Sequence, residues 1–218
     1  MSQSQFFLYL IPIILISLTL HEYSHGFVAH RLGDDTALKQ GRLSFNPLRH
    51  LDVVGTLFLF LFHFGWAKPV PVDPRNFREP RRHMMYVALA GPAANLMLAV
   101  FCGFMVRMIY LHFHEFRTLF DFFCVGVYIN VALAVFNLLP FFPLDGSSIL
   151  KGLVPYEWAV KLTYLDRYAA VLLIGIFLMD RFAQTGILAR MLFLPVMFVV
   201  QFLTQEAFRS FLQELGFI

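Results

Sequence analysis

Thr19-Leu20-His21-Glu22-Tyr23-Ser24-His25-Gly26 lies inside an apolar run, Phe6 to Val28, in which Glu22 is the one acidic residue and no lysine or arginine occurs. The stretch reads H-E-x-x-H. On a helix, residues four apart project from one face, so the imidazoles of His21 and His25 can reach a single ion. Glu22 sits one position round, close enough to exchange a proton with a water at that ion without being a ligand. Two neutral imidazoles and a neighbouring carboxylate suit Zn²⁺ and hydrolysis. The setting sharpens this, because an ionisable group in a membrane helix costs roughly 2.5–3.5 kcal/mol on insertion scales. Three such groups within five residues call for a partner that offsets the cost, and a metal is the simplest.

Composition sets the class. Of 218 residues, 59% are hydrophobic and 14% charged, against about 25% charged in soluble domains. The chain therefore reads as an all-α polytopic membrane protein, with one membrane-embedded domain over residues 1–218. Its catalytic core is expected at about 6–150 and its C-terminal helices at about 155–218. The net charge of +3 is small and the basic residues cluster near the ends of apolar segments. That suits lipid headgroups and topology, and excludes nucleic acid as a partner. Cys102 and Cys124 lack metal-ligand spacing and read as core- or lipid-facing small residues. Met1–Gln5 has no lysine or arginine, so the first run is expected to be a retained helix rather than a cleaved signal.

About five transmembrane helices are expected, with a re-entrant segment and a short extended, β-like loop. The first helix covers about Phe6–Arg31. The apolar stretch Val53–Phe64 falls below the ~17–25 residues that a spanning helix needs. In Gly65-Trp66-Ala67-Lys68-Pro69-Val70-Pro71-Val72-Asp73-Pro74 the alternate prolines forbid helix and favour an extended edge. Long apolar runs follow at Met84–Leu111 and Phe122–Phe142, then shorter ones at Tyr168–Met179, in a helix starting near Pro155, and Ile187–Leu203. Phe208, Phe211, Leu212 and Leu215 repeat at helical spacing, which predicts a short amphipathic helix on the membrane surface. Nine lysines and arginines lie between Arg31 and Arg82, against two near residues 112–120. The positive-inside rule then places 31–82 and 145–167 in the cytoplasm and the N-terminus outside.

A catalytic zinc takes three protein ligands and keeps one open position. Asp34, Asp35 and Asp73 read as solvated loop carboxylates. Asp52 flanks the short apolar stretch, as a helix cap or as a group behind the ligands. Asp145 is the best third ligand, because a proline-rich break brings an Asp-Gly to the end of a membrane helix. Depth agrees: if Val53–Phe64 dips in and returns, Asp145 arrives at the level of the histidines. Asn137 lies eight residues earlier, about two turns up the same helix unless the prolines interrupt it. Its amide either packs or donates to an oxyanion. Asn95 reads as helix–helix glue. His30, His50, His63, His83, His112 and His114 read as interfacial. A rival class, a membrane metal-binding or metal-transport protein, would use the same ligands. It needs a polar relay through the full depth, whereas Phe6–Leu15 and Phe122–Phe136 are almost wholly apolar.

His21-Glu22-x-x-His25, Gly91-x-x-x-Asn95 and Asn137…Leu144-Asp145-Gly146 together resemble the site-2 protease family, intramembrane zinc metalloproteases. Gly41-Arg42, Asn46-Pro47 and the Gly65–Val72 stretch resemble its small bacterial members, and the likeness covers roughly residues 10–150. The resemblance implies one Zn²⁺ per chain on His21, His25 and Asp145, Glu22 as general acid/base, and Asn137 near the scissile carbonyl. It also implies a bacterial inner membrane location, an active site toward the cytoplasm, and a single-span membrane protein or peptide as substrate, with homo-oligomerisation left open. The PDZ and CBS domains of many relatives have no room in this chain.

Overall fold

The computed structural model describes residues 3–62, 65–183 and 186–214. Among them the chain is helical, and its one β feature is an isolated antiparallel bridge between Leu51 and Ala67. The α-helices are α1 (Gln3–Arg31), α2 (Thr36–Lys39), α3 (Val53–Phe62), α4 (Pro80–His112), α5 (Arg117–Asn137), α6 (Asp145–Leu153), α7 (Tyr156–Ala183), α8 (Ile187–Thr204) and α9 (Glu206–Glu214). Among the described residues α1, α4 and α5 are long and apolar enough to cross a membrane. The pair α8–α9, bent by 116°, adds a fourth if it counts as one span. The all-helical class therefore holds, and three to four of the expected five spans stand on length and composition.

Helices α1, α4 and α5 pack side by side, with α8 and α9 against them. Their shared core holds Tyr9 and Ile13 from α1, Ala99 and Val106 from α4, Cys124, Val127 and Val131 from α5, and Val200 from α8. Cys102 and Cys124 are buried there, as expected. The apolar stripe of α9 faces this core instead of the membrane surface: Phe208 and Phe211 are buried, and the Phe211 ring meets Phe120 at 6.5 Å. The sequence pattern identifies the stripe but not what covers it. Leu215 lies outside the described residues.

Two local features set the level of the site. Helix α3 has ten residues, about 15 Å at 1.5 Å per residue. The chain then returns to where the helix began, where Leu51 pairs with Ala67 and the Lys68 N–H donates to the His50 carbonyl at 2.8 Å. Asp52 caps α3 by accepting from Gly55 N at 2.8 Å. His63 and Phe64 lie outside the described residues.

The second feature is the break after α5. That helix stops at Asn137, and a new one opens at Asp145 after the cis Phe142–Pro143 peptide. Asn137 and Asp145 are thus on separate helices, because the prolines do interrupt. Helix α6 packs on α4, where the Arg81 guanidinium donates to the Lys151, Gly152 and Val154 carbonyls at its C-terminal end. Donors on those last carbonyls satisfy groups that a helix end leaves unpaired.

Candidate active site

His21 and His25 occur on one face of α1, as the four-residue spacing requires, with ring centroids 4.6 Å apart. Each ring is fixed from behind. His25 Nδ1 lies 2.7 Å from the Val87 carbonyl oxygen. A carbonyl only accepts, so Nδ1 carries a proton, and in the neutral imidazole Nε2 then keeps its lone pair. His21 Nδ1 lies 2.6 Å from Asn95 Oδ1 and donates to it in the same way. The two Nε2 atoms then face each other at 3.1 Å. Two lone pairs do not hold that geometry on their own account, and it is the geometry of ligands to a shared cation.

Asp145 completes the set from the first turn of α6. Its Oδ2 is 3.3 Å from His21 Nε2 and its Oδ1 is 3.3 Å from His25 Nε2. Oδ2 is buried and has no hydrogen-bond partner among the described residues. A tetrahedral ion with ligand bonds of about 2.0–2.1 Å separates its ligands by roughly 3.3 Å. The observed 3.1–3.3 Å edges match that figure, and the N,N,O donor set suits zinc. Among the described residues these three form the one group able to hold a metal, with their ligand atoms all within 4.8 Å of one another.

Gly91 of α4 explains how two imidazoles fit against a neighbouring helix. A Cβ at this position would sit 2.4 Å from His25 Nε2 and 2.6 Å from His21 Cε1. Only a residue without a side chain lets α4 approach this closely. The Gly91-x-x-x-Asn95 pattern is therefore one device on adjoining turns: the glycine makes room for the rings and the asparagine orients one of them.

Glu22, nearly buried at 8% exposure, accepts the Val70 N–H on Oε2 at 2.8 Å. This ties the proline-flanked stretch directly to the proposed acid/base. Pro69 and Pro71 have no N–H to offer, so Val70 supplies the donor at this point. The stretch is anchored further on by Asp34, which is fully buried and accepts from Asp73 N at 2.8 Å and Asn76 Nδ2 at 2.7 Å. Burial pushes its carboxyl up, but hydrogen bonds from Thr36, Asn76 and Asp73 outweigh this and hold it below the usual range. Asp34 is thus a structural hub and not the solvated carboxylate that the loop sequence suggests. Asp73 is half-buried and pairs with the exposed Arg75 at 2.7 Å. His50 is also buried, donating from Nε2 to Ser44 O at 2.7 Å, so it leaves the interfacial group.

The structure thus brings four of the five expected residues together. The fifth, Asn137, is half-buried at the end of α5 and donates to the Leu133 carbonyl at 3.0 Å. Sequence reasoning took Asn95 for packing and passed over Asn130 in an almost wholly apolar helix. In the structure Asn95 contacts His21, and Asn130 in turn contacts Asn95 at 3.1 Å. An asparagine at membrane depth is the only signal either one gives in the sequence. Val87 gives none, because it acts through its backbone.

Comparison with known proteins gives the chain's family. Residues 105–179 match the family model described as peptidase family M50. The chain is 40% identical over 174 residues to YwhC of Bacillus subtilis, which carries a zinc metalloprotease name, covering 78% of this chain and 80% of that one. Rip2 of Mycobacterium tuberculosis, similarly named, is 31% identical over 75% of this chain and 64% of its own length. MJ0611 of Methanocaldococcus jannaschii, also similarly named, is 30% identical over 68% of this chain and 76% of its own. No solved structure matches. With relatives of this identity and extent, the chain belongs to the site-2 protease family, peptidase family M50.

Proposed function

We propose that this protein is an intramembrane zinc endopeptidase that hydrolyses peptide bonds of membrane-spanning substrates. The observation that carries the proposal is the convergence of His21, His25 and Asp145 within 4.8 Å beside Glu22, from helices more than a hundred residues apart in the chain. His21, His25 and Asp145 would hold the zinc. When bound, the metal acts as a Lewis acid, bringing a water's pKa toward neutrality and polarising a carbonyl.

The protein's own groups do the rest. Val70 holds Glu22 Oε2, which leaves Oε1 to take the proton of the attacking water and return it to the leaving amine. Asn95 and Val87 keep both imidazoles in the ligating tautomer. Asn137, on turning from Leu133, would donate to the scissile carbonyl as it gains charge. We assign the site to the cytoplasmic half of a bacterial inner membrane, with a single-span protein or peptide as substrate. The charge asymmetry of the loops supports this.

Glu22→Gln tests the reading. It preserves shape and all three ligands but removes the group that moves the proton. General acid–base catalysis contributes about 10²–10⁴-fold, so cleavage of a co-expressed single-span substrate should fall below detection on gels. Zinc per chain, measured on the same purified protein, should stay at the wild-type level. A metal transporter would keep its activity in this variant, and near-normal cleavage by zinc-loaded Glu22→Gln would end the protease mechanism.

A further inference from the structure

Asn95 is an amide, and an amide has two faces. With its oxygen toward His21 it accepts from Nδ1 and leaves Nε2 free to ligate. With its nitrogen there it would donate to Nδ1, and the proton would have to sit on Nε2. The residue behind it bears on that choice. Asn130 of α5 is buried and donates from Nδ2 to the Gly126 carbonyl at 2.9 Å. That carbonyl only accepts, so the Asn130 oxygen is turned the other way, toward Asn95. There it accepts from Asn95 Nδ2 at 3.1 Å. The Ser17 carbonyl of α1 gives the same nitrogen a second, longer contact at 3.3 Å. Asn95 is itself fully buried, so no solvent competes for either end of its amide.

We propose that Asn130 is a positioning residue for zinc binding. The Gly126 carbonyl polarises a one-way relay through Asn130 and Asn95 that holds His21 with its proton on Nδ1 and its lone pair toward the metal. The inference rests on the zinc-protease reading and deepens it. It assigns a role to a side chain on α5, which contributes no atom to the ligand set. Groups one step behind a ligand typically change metal affinity 10–100-fold.

The test is apparent zinc affinity by chelator competition on detergent-purified full-length protein. Measurements use the monodisperse fraction with wild-type helical circular dichroism, and Asn130→Ala takes the place of Asn130→Leu if the latter yields none. Asn130→Leu removes the acceptor behind Asn95, and zinc affinity should fall about ten-fold or more. Asn95→Asp is the discriminating background. Either carboxyl oxygen can accept from His21, so the relay has nothing left to orient. Asn95→Asp alone should bind zinc, and adding Asn130→Leu to it should cost less than about three-fold, a coupling that double-mutant analysis isolates. A packing role for Asn130 predicts the same loss in both backgrounds, and that result would overturn the proposal. So would wild-type affinity in Asn130→Leu, or absence of zinc in Asn95→Asp. Wild-type protein that binds no zinc would remove the metal reading and this proposal with it. Wild-type zinc with unresponsive variants would remove the relay alone.

Discussion

A single methyl group probes how the site is built at the residue scale. At Gly91 the added Cβ of alanine would meet His25 Nε2 at 2.4 Å, and neither neighbour can yield cheaply. His25 is pinned by the Val87 carbonyl and His21 by Asn95, so relief requires moving α4 or breaking one of those bonds. Overpacking of a filled core costs about 1–3 kcal/mol, and here the strain falls on the ligand atoms. Gly91→Ala should therefore lower zinc occupancy and peptide cleavage together while the protein remains helical, as metal analysis beside circular dichroism would show. Wild-type zinc content in Gly91→Ala would mean that the two helices are not held this close. The same scale shows what can be read from a string of letters. His21 and His25 are found by counting four, because a helix converts that spacing into proximity by itself. Gly91 becomes meaningful only when its own helix is rotated against theirs.

At the scale of elements, the stretch between α2 and α4 determines whether α1 and α6 can meet. Helix α3 is too short to cross, and the bridge from Leu51 to Ala67 closes its path back. The Asp34 carboxylate then binds Asp73 and Asn76 to the end of α1, so the two ends of this stretch are tied together beside α1. Cysteines placed at Gln40 and Arg78, both exposed, should react with an impermeant thiol reagent from the cytoplasmic side only. Reaction from opposite sides would refute the re-entrant topology and the depth argument for Asp145. The length and the proline pattern of this stretch are plain in the sequence. Its anchors, Asp34 and the bridge, are not, since a carboxylate in a polar loop looks solvated until a second loop folds over it.

At the scale of the whole molecule, the metal would act as a cross-link. Its ligands come from α1 and from α6, and α6 is clamped to α4 by Arg81. A ligand that binds only the folded state stabilises it by about 2.7 kcal/mol at a hundred times its dissociation constant. Chelation should accordingly lower the thermal midpoint of the wild-type protein in detergent, and zinc should restore it. Asp145→Ala should melt at one temperature with or without chelator. An equal response in that variant would place the metal elsewhere. By itself the sequence determined the membrane class, the paired histidines with their carboxylate, and the proline-marked loops. Those follow from composition, helical period and backbone restriction, all of which act within a few residues. Only the tertiary structure decided that Asn95 and Asn130 form a relay, that Val87 and Val70 act through their backbones, that the apolar face of α9 is buried, and that Asn137 and Asp145 sit on different helices. Each of these depends on how one helix is turned and placed against another. That rotation is fixed by the summed packing of the α1–α4–α5 core, and no local pattern of residues records it.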